Sequence, residues 1–190
     1  MNDLNYGYVQ SNRRKEVQLY MTKSDVTIFY FEKNGYIPNN PTLPVLHYKK
    51  VFQNNEDKIE TLITSNNWKN TWINGIYYFH HYHSNAHEVL GILKGSGLLL
   101  IGGESGTKVI VNSGDILVLP AGTGHKKLSA SIDFQVIGAY PDGQEFNLKQ
   151  NTKEDLEGAE EEIEKVAFPS KDPVYGEDGP LMKFWSKTNR

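Results

Sequence analysis

Between Trp72 and Tyr140 the apolar residues fall into short runs separated by glycine. The runs are Ile73 to His83, Glu88 to Leu93, Leu98 to Ile101, Thr107 to Val111, Asp115 to Leu119, Lys127 to Ser129 and Ile132 to Tyr140. They are rich in β-branched and aromatic residues, and Gly95, Gly102, Gly103, Gly106 and Gly114 mark turns between them. Strands at this spacing predict an all-β sandwich or barrel. One more strand is expected upstream, over Asp25 to Glu32. Two segments have helical spacing instead. In 54–66, Ile59, Leu62 and Ile63 share a face; in 151–166, Leu156, Ala159, Ile163 and Val166 form a stripe behind the capping pair Thr152 and Asp155. Glu160, Glu161, Glu162 and Glu164 lie mostly off that stripe and read as a solvated face.

The remaining segments fill in the organisation. Residues 1–24 lack a sustained period and read as a peripheral arm. Residues 25–71 supply a strand, a connector with three prolines from Gly35 to Pro44, and a helix packed on the barrel. Residues 72–140 are the barrel core. Residues 141–190 give a helix and a tail in which Leu181, Met182, Phe184 and Trp185 fold back onto the barrel or a partner subunit, because each fully buried side chain of this kind gains roughly 1.5–3 kcal/mol.

Charge and composition narrow the chemistry. A formal charge of −3 over 190 residues argues against a nucleic-acid surface. No apolar run approaches the ~20 residues of a membrane-spanning helix, and the first residues have no basic start or apolar stretch, so no membrane partner and a cytoplasmic location are expected. There is no cysteine, which leaves imidazole and carboxylate as the only strong metal ligands.

Four of the six histidines and one glutamate fall within nine residues, His80 to Glu88. Alternation along a strand puts His81 and His83 on one face, with Gly75, Tyr77 and Phe79, and turns His80 away. A short turn then returns Glu88 beside the pair, with Leu90 on its side. His87 faces the opposite way if the strand has begun, or joins His83 if 83–87 forms a helical turn. A second block, Gly114 to His125, reads as a strand that ends in a Pro-Ala-Gly-Thr-Gly turn and delivers His125 at its exit. His47 shows no partner in the sequence and reads as structural.

The pattern Gly75-x5-His81-x-His83-x4-Glu88-x6-Gly95 resembles the first cupin motif, and Gly114-x5-Pro120-x-Gly122-x2-His125 resembles the second, with Ser129 where asparagine is usual. Ile37 to Pro44 and the tail from Asp172 to Leu181 further resemble the YjlB-type group of single-domain bacterial cupins. The resemblance implies a jelly-roll type double-sheet barrel with an N-terminal extension and two peripheral helices. It also implies one divalent transition metal (iron, manganese, nickel or zinc) held by His81, His83, Glu88 and His125, and a homodimer. Four such ligands leave positions for water, oxygen or substrate. The expected function is therefore an oxygenase-, isomerase- or lyase-type reaction on a small, oxygen-rich, anionic molecule, against the alternative of a non-catalytic binding or sensing module. His87, Tyr77, Phe79, Leu90, Phe134 and Lys127 are the candidates for surrounding or pocket residues. For Lys126 and Lys127, protection of a strand edge is the ordinary alternative.

Overall fold

The computed structural model describes residues 26–186, so the arm expected over 1–24 lies outside the described residues. Among the described residues eleven strands form two antiparallel sheets, in keeping with the all-β pattern. In chain order they are β1 (Val26–Phe29), β2 (Val45–Tyr48), β3 (Trp68–Asn74), β4 (His81–Tyr82), β5 (Glu88–Lys94), β6 (Ser96–Ile101), β7 (Thr107–Asn112), β8 (Ile116–Leu119), β9 (His125–Ala130), β10 (Gln135–Pro141) and β11 (Lys149–Gln150). The six-stranded sheet runs β1-β2-β8-β5-β10-β3 and the five-stranded sheet β11-β4-β9-β6-β7. The sheets do not close into one ring.

Strand parity sorts most of the buried side chains into two cores. Leu90, Ile92, Leu99, Ile101, Leu117, Leu119 and Val136 face one another between the sheets. Their neighbours Val89, Ile116, Val118, Ile137 and Ala139 cover the opposite face of the larger sheet. That face is closed by Ile59 and Ile63 of α1 (Ile59–Ser65) and by Leu181 and Trp185 from the tail. Gly91 lets α1 approach, since a Cβ there would stand 2.6 Å from Ile59 Cγ2.

The tail docks on its own chain. Asp172, wholly buried, accepts from the Tyr48 hydroxyl at 2.6 Å and from the backbone N–H groups of Val174, Tyr175 and Leu181 at 2.7, 2.9 and 3.0 Å. It fixes the entry to a short helix, which the sequence pattern does not predict, over Pro180–Phe184. Trp185 then donates its indole N–H to the Pro44 carbonyl at 2.9 Å.

Two expected elements are divided. The single run from Ile73 to His83 is broken, because β3 belongs to the larger sheet and β4 to the smaller, and residues 75–80 carry the chain across. The helix expected over 151–166 is two short helices, α2 (Lys153–Leu156) and α3 (Ala159–Glu164), and the tail helix is α4. Gly158 sits between α2 and α3 at φ +75°, a left-handed conformation that ends one helix and opens the next. Thr152 does cap as expected, its hydroxyl accepting from the Asp155 N–H at 3.2 Å. Among the described residues no helix is long and apolar enough to cross a membrane.

Candidate metal centre

His81, His83, Glu88 and His125 arrive from three directions at one end of the space between the sheets. His81 and His125 are register partners on β4 and β9, with ring centroids 4.1 Å apart. His83 follows β4, and Glu88 opens β5 opposite Leu119. All four side chains are buried. Glu88 Oε1 lies 3.4 Å from His83 Nε2, and Glu88 Oε2 lies 3.5 Å from His125 Nε2.

Backbone carbonyls orient the three imidazoles alike. His81 Nδ1 faces the Phe79 carbonyl at 3.3 Å, His125 Nδ1 faces that of Thr123 at 3.0 Å, and His83 Nδ1 contacts that of Asn147. A carbonyl can only accept, so each Nδ1 carries a proton and each Nε2 is turned toward another partner. Glu88 is held from behind, since the Tyr140 hydroxyl donates to Oε1 at 2.9 Å and the Trp72 indole donates to that hydroxyl at 2.8 Å. Oε2 is buried with no hydrogen-bond partner.

The turn before His125 is built by distant residues. Ala121 donates its N–H to His87 Nδ1 at 2.9 Å, and its carbonyl accepts from the Asn40 amide at 3.0 Å. Gly124 donates to Asn39 Oδ1 at 3.1 Å, and Gly122 donates to the His83 carbonyl at 2.8 Å. Gly122 has φ +91°, and a Cβ there would lie 2.5 Å from Ile163 and 2.8 Å from the Asn39 carbonyl oxygen. The asparagines of the Pro-Asn-Asn-Pro connector thus aim His125.

Burial holds His125 at about 3, reinforced by neighbouring His81, and lowers His81 as well. Burial opposes ionisation of Glu88 too, but the adjacent His83, then His125 and His81, outweigh it and hold the carboxyl at about 2. For His83, burial is outweighed by the same carboxylate and the imidazole is raised. Burial and then Glu88 raise the Tyr140 hydroxyl, keeping it a donor.

The other candidates divide. Tyr77 and Phe79 lie on the 75–80 crossing, stacked 4.8 Å apart and half exposed, with ring centroids 5.1 and 5.9 Å from His81. Leu90 is buried in the inter-sheet core, and Phe134 packs against the edge of that core. His87 is fully buried between Ala121 and Trp185, its ring 4.7 Å from the indole, so it braces the turn. His80 is buried on the other side of β4, near Glu104 at 3.7 Å. His47 pairs with Asp115 at 3.0 Å, far along the sequence.

Tyr140, Trp72, Phe146 and Asn147 are additions that sequence reasoning missed. Phe146 stacks on Tyr140 at 4.4 Å and lies 5.0 Å from the His83 ring. Tyr140 had a signal, because Phe134, Val136, Gly138 and Tyr140 share parity and Phe134 was already a pocket candidate. Asn147 had none, since it lies on the loop that leads to β11.

Residues 44–151, more than half of the chain, match the family described as Cupin. The chain belongs to the cupin family. It is 40% identical over 159 residues, 84% of its length and 96% of the relative's, to the uncharacterized protein YjlB of Bacillus subtilis (strain 168). Among solved structures it is similar to acireductone dioxygenase from Bacillus anthracis with cadmium ion in its active centre, at 21% identity and TM-score 0.34, covering 50% of this cupin and 62% of that chain. Procruciferin, an 11S globulin from Brassica napus, matches at 16% identity and TM-score 0.34 over 58% of this chain and 23% of its own. The cupin thus spans less than two thirds of either chain, and at these scores neither likeness bears on reaction or ligand.

Proposed function

We propose that this cupin binds one divalent transition metal through His81, His83, Glu88 and His125 and acts on a small, oxygen-rich, anionic molecule. The observation that carries the reading is the donor set itself: three buried imidazoles with Nδ1 turned to carbonyls, around a buried carboxylate oxygen without a partner. Burying a polar atom such as Oε2 without a partner costs on the order of 1–3 kcal/mol, and a cation at the shared focus would satisfy it and engage the three imidazoles together. Among the described residues no group of three or more histidine, aspartate or glutamate side chains is spaced to hold a metal ion as it stands. The two oxygen–nitrogen separations of 3.4 and 3.5 Å are nonetheless compatible with one. Donors about 2.1 Å from a common ion at a tetrahedral angle stand about 3.4 Å apart. The donor types suit iron, manganese, nickel or zinc.

When bound, such a metal supplies Lewis acidity, or redox chemistry if iron or manganese, at the open end of the barrel. The chain's residues do the rest. Tyr140 and Trp72 hold Glu88 by Oε1, which leaves Oε2 free, and the half-exposed rings of Tyr77, Phe79 and Phe146 lie against His81 and His83. One observation favours the non-catalytic binding or sensing reading: the Tyr140 hydroxyl, which touches the donor set, is committed to Glu88.

Elemental analysis of protein purified without added metal tests the first step. About one equivalent of a first-row metal is expected, lost in a His83→Ala, His125→Ala double variant. A wild type with no higher affinity for divalent ions than that variant would remove the site. Consumption of oxygen, or conversion of hydroxy- or keto-acids, by the iron, manganese, nickel or zinc form separates an enzyme from a binding module. A cytoplasmic homodimer is part of the same proposal, and light scattering of the purified chain tests the assembly.

A further inference from the structure

Lys126 and Lys127 follow His125 on β9, and sheet register gives them opposite surroundings. His125, Lys126 and Lys127 stand opposite Ile101, Leu100 and Leu99 of β6. Ile101 and Leu99 belong to the inter-sheet core, so Lys127 shares the inner face with His125, one pleat or about 7 Å along the strand. Lys126 turns outward and is neutralised by Glu104 at 2.7 Å.

Lys127 has no such partner among the described residues. Its ammonium lies 4.3 Å from the ring centroid of Tyr78 and 5.9 Å from that of Phe134. A Cβ on Gly75 would be 3.6 Å from Nζ, so the side chain extends over the start of the 75–80 crossing. Its backbone N–H donates to the Tyr77 carbonyl at 2.8 Å, which ties strand and crossing together. Aromatic faces attract a cation and hold it in place, but they leave its charge unspent.

We propose that Lys127 is the residue that recognises the ligand's charge, and that the ligand is a small carboxylic acid with a planar body. This rests on the reading above that the mouth over the four donors is a ligand site. The choice of a carboxylate follows from what the inner face offers among the described residues, a single ammonium. A phosphate group is ordinarily read by guanidinium forks, by several backbone N–H groups or by a helix N-terminus. Lys127 instead stands on a strand whose backbone is engaged in pairing with β6. The body of the ligand is set by Tyr77 and Phe79. These stacked rings, 52% and 40% exposed, lie beside His81 on the crossing whose Tyr77 carbonyl accepts from the Lys127 N–H, and offer a flat apolar wall.

Calorimetric titration of the full chain with benzoate and with its neutral isostere benzamide tests this, on both manganese-loaded and chelator-stripped protein. Wild type is expected to bind benzoate at least tenfold more tightly than benzamide in both forms. Lys127→Met, which keeps the apolar stem, should bind the two alike at the benzamide level, with metal uptake and circular dichroism unchanged. Lys127→Arg should recover most of the discrimination. Equal benzoate affinity in wild type and Lys127→Met overturns the assignment, as does a wild type that binds benzoate in neither form. Failure of the metal reading would show separately as absence of manganese uptake, while the benzoate and benzamide difference on stripped protein still decides the role of Lys127.

Discussion

Tyr140 determines what Glu88 presents to its neighbours. Its hydroxyl occupies one carboxylate oxygen and leaves the other bare, so Tyr140→Phe would strand Oε1 in a buried setting. Removing an outer partner of a metal ligand typically weakens metal affinity about 10–100-fold, and a loss of that order is expected in competition with a chelator, with the fold retained. Unchanged affinity would mean that the bond is only structural. His87 carries a second prediction. Burial holds its imidazole at about 3, so below its ordinary value near 6.5 the unfolded chain takes up a proton that the folded chain refuses. Stability from this residue is complete above the unfolded value and falls as pH drops toward 3. His87→Asn, which keeps an acceptor for Ala121, should therefore flatten urea-derived stability against pH by up to one proton per molecule between about pH 4 and 6. Parallel curves for the two proteins would show that the imidazole does not resist protonation. At this scale the sequence was informative wherever side chains repeat at even spacing. His81, His83, Glu88 and His125 are brought together as their spacing suggested. The partner of His47 was not legible, because Asp115 is joined to it only by the pairing of β2 with β8.

Elements locate the site through their interruptions. The five residues from Pro120 to Gly124 are too short to fix their own shape, and the connector asparagines supply what is lacking. Asn39 alone bonds Gly124, the Glu32 carbonyl and the Gly102 carbonyl. Asn39→Ala leaves three backbone groups without partners and is expected to cost about 3 kcal/mol in urea unfolding, at about 1 kcal/mol for each lost bond. It should also displace His125 and lower metal affinity. A loss of stability with metal affinity intact would separate the connector from the site. Turn chemistry and strand content were readable from residue types. The sheet switch at 75–80 was not, because Tyr77, Tyr78 and Phe79 are as β-prone as the strands beside them. Nor was the break at Gly158, since an isolated glycine within an apolar stripe is compatible with a continuous helix.

At the scale of the whole molecule, the two cores give the site its setting. The tail and α1 close the outer face of the larger sheet, so the inter-sheet space is free to carry polar groups at one end without exposing the rest. Asp172, buried and fourfold bonded, holds that outer layer down, yet it lies on the opposite side of the sheet from the donors. The fold should therefore stand without metal and gain stability when metal binds only the folded chain. Ligand present at about 100 times its dissociation constant adds roughly 2.7 kcal/mol, which for a chain of this size raises the unfolding midpoint by about 5–10 °C. Differential scanning calorimetry of chelator-treated protein with and without manganese measures this directly. The His83→Ala, His125→Ala double variant should lose the increment. Asp172→Ala should start from a lower midpoint, since it removes four hydrogen bonds to one buried carboxylate, and yet gain nearly the full increment. If Asp172→Ala abolishes the increment, the outer layer and the donor site are one cooperative unit and the division between the two cores has no energetic meaning. If the double variant retains the increment, the ion binds elsewhere on the molecule.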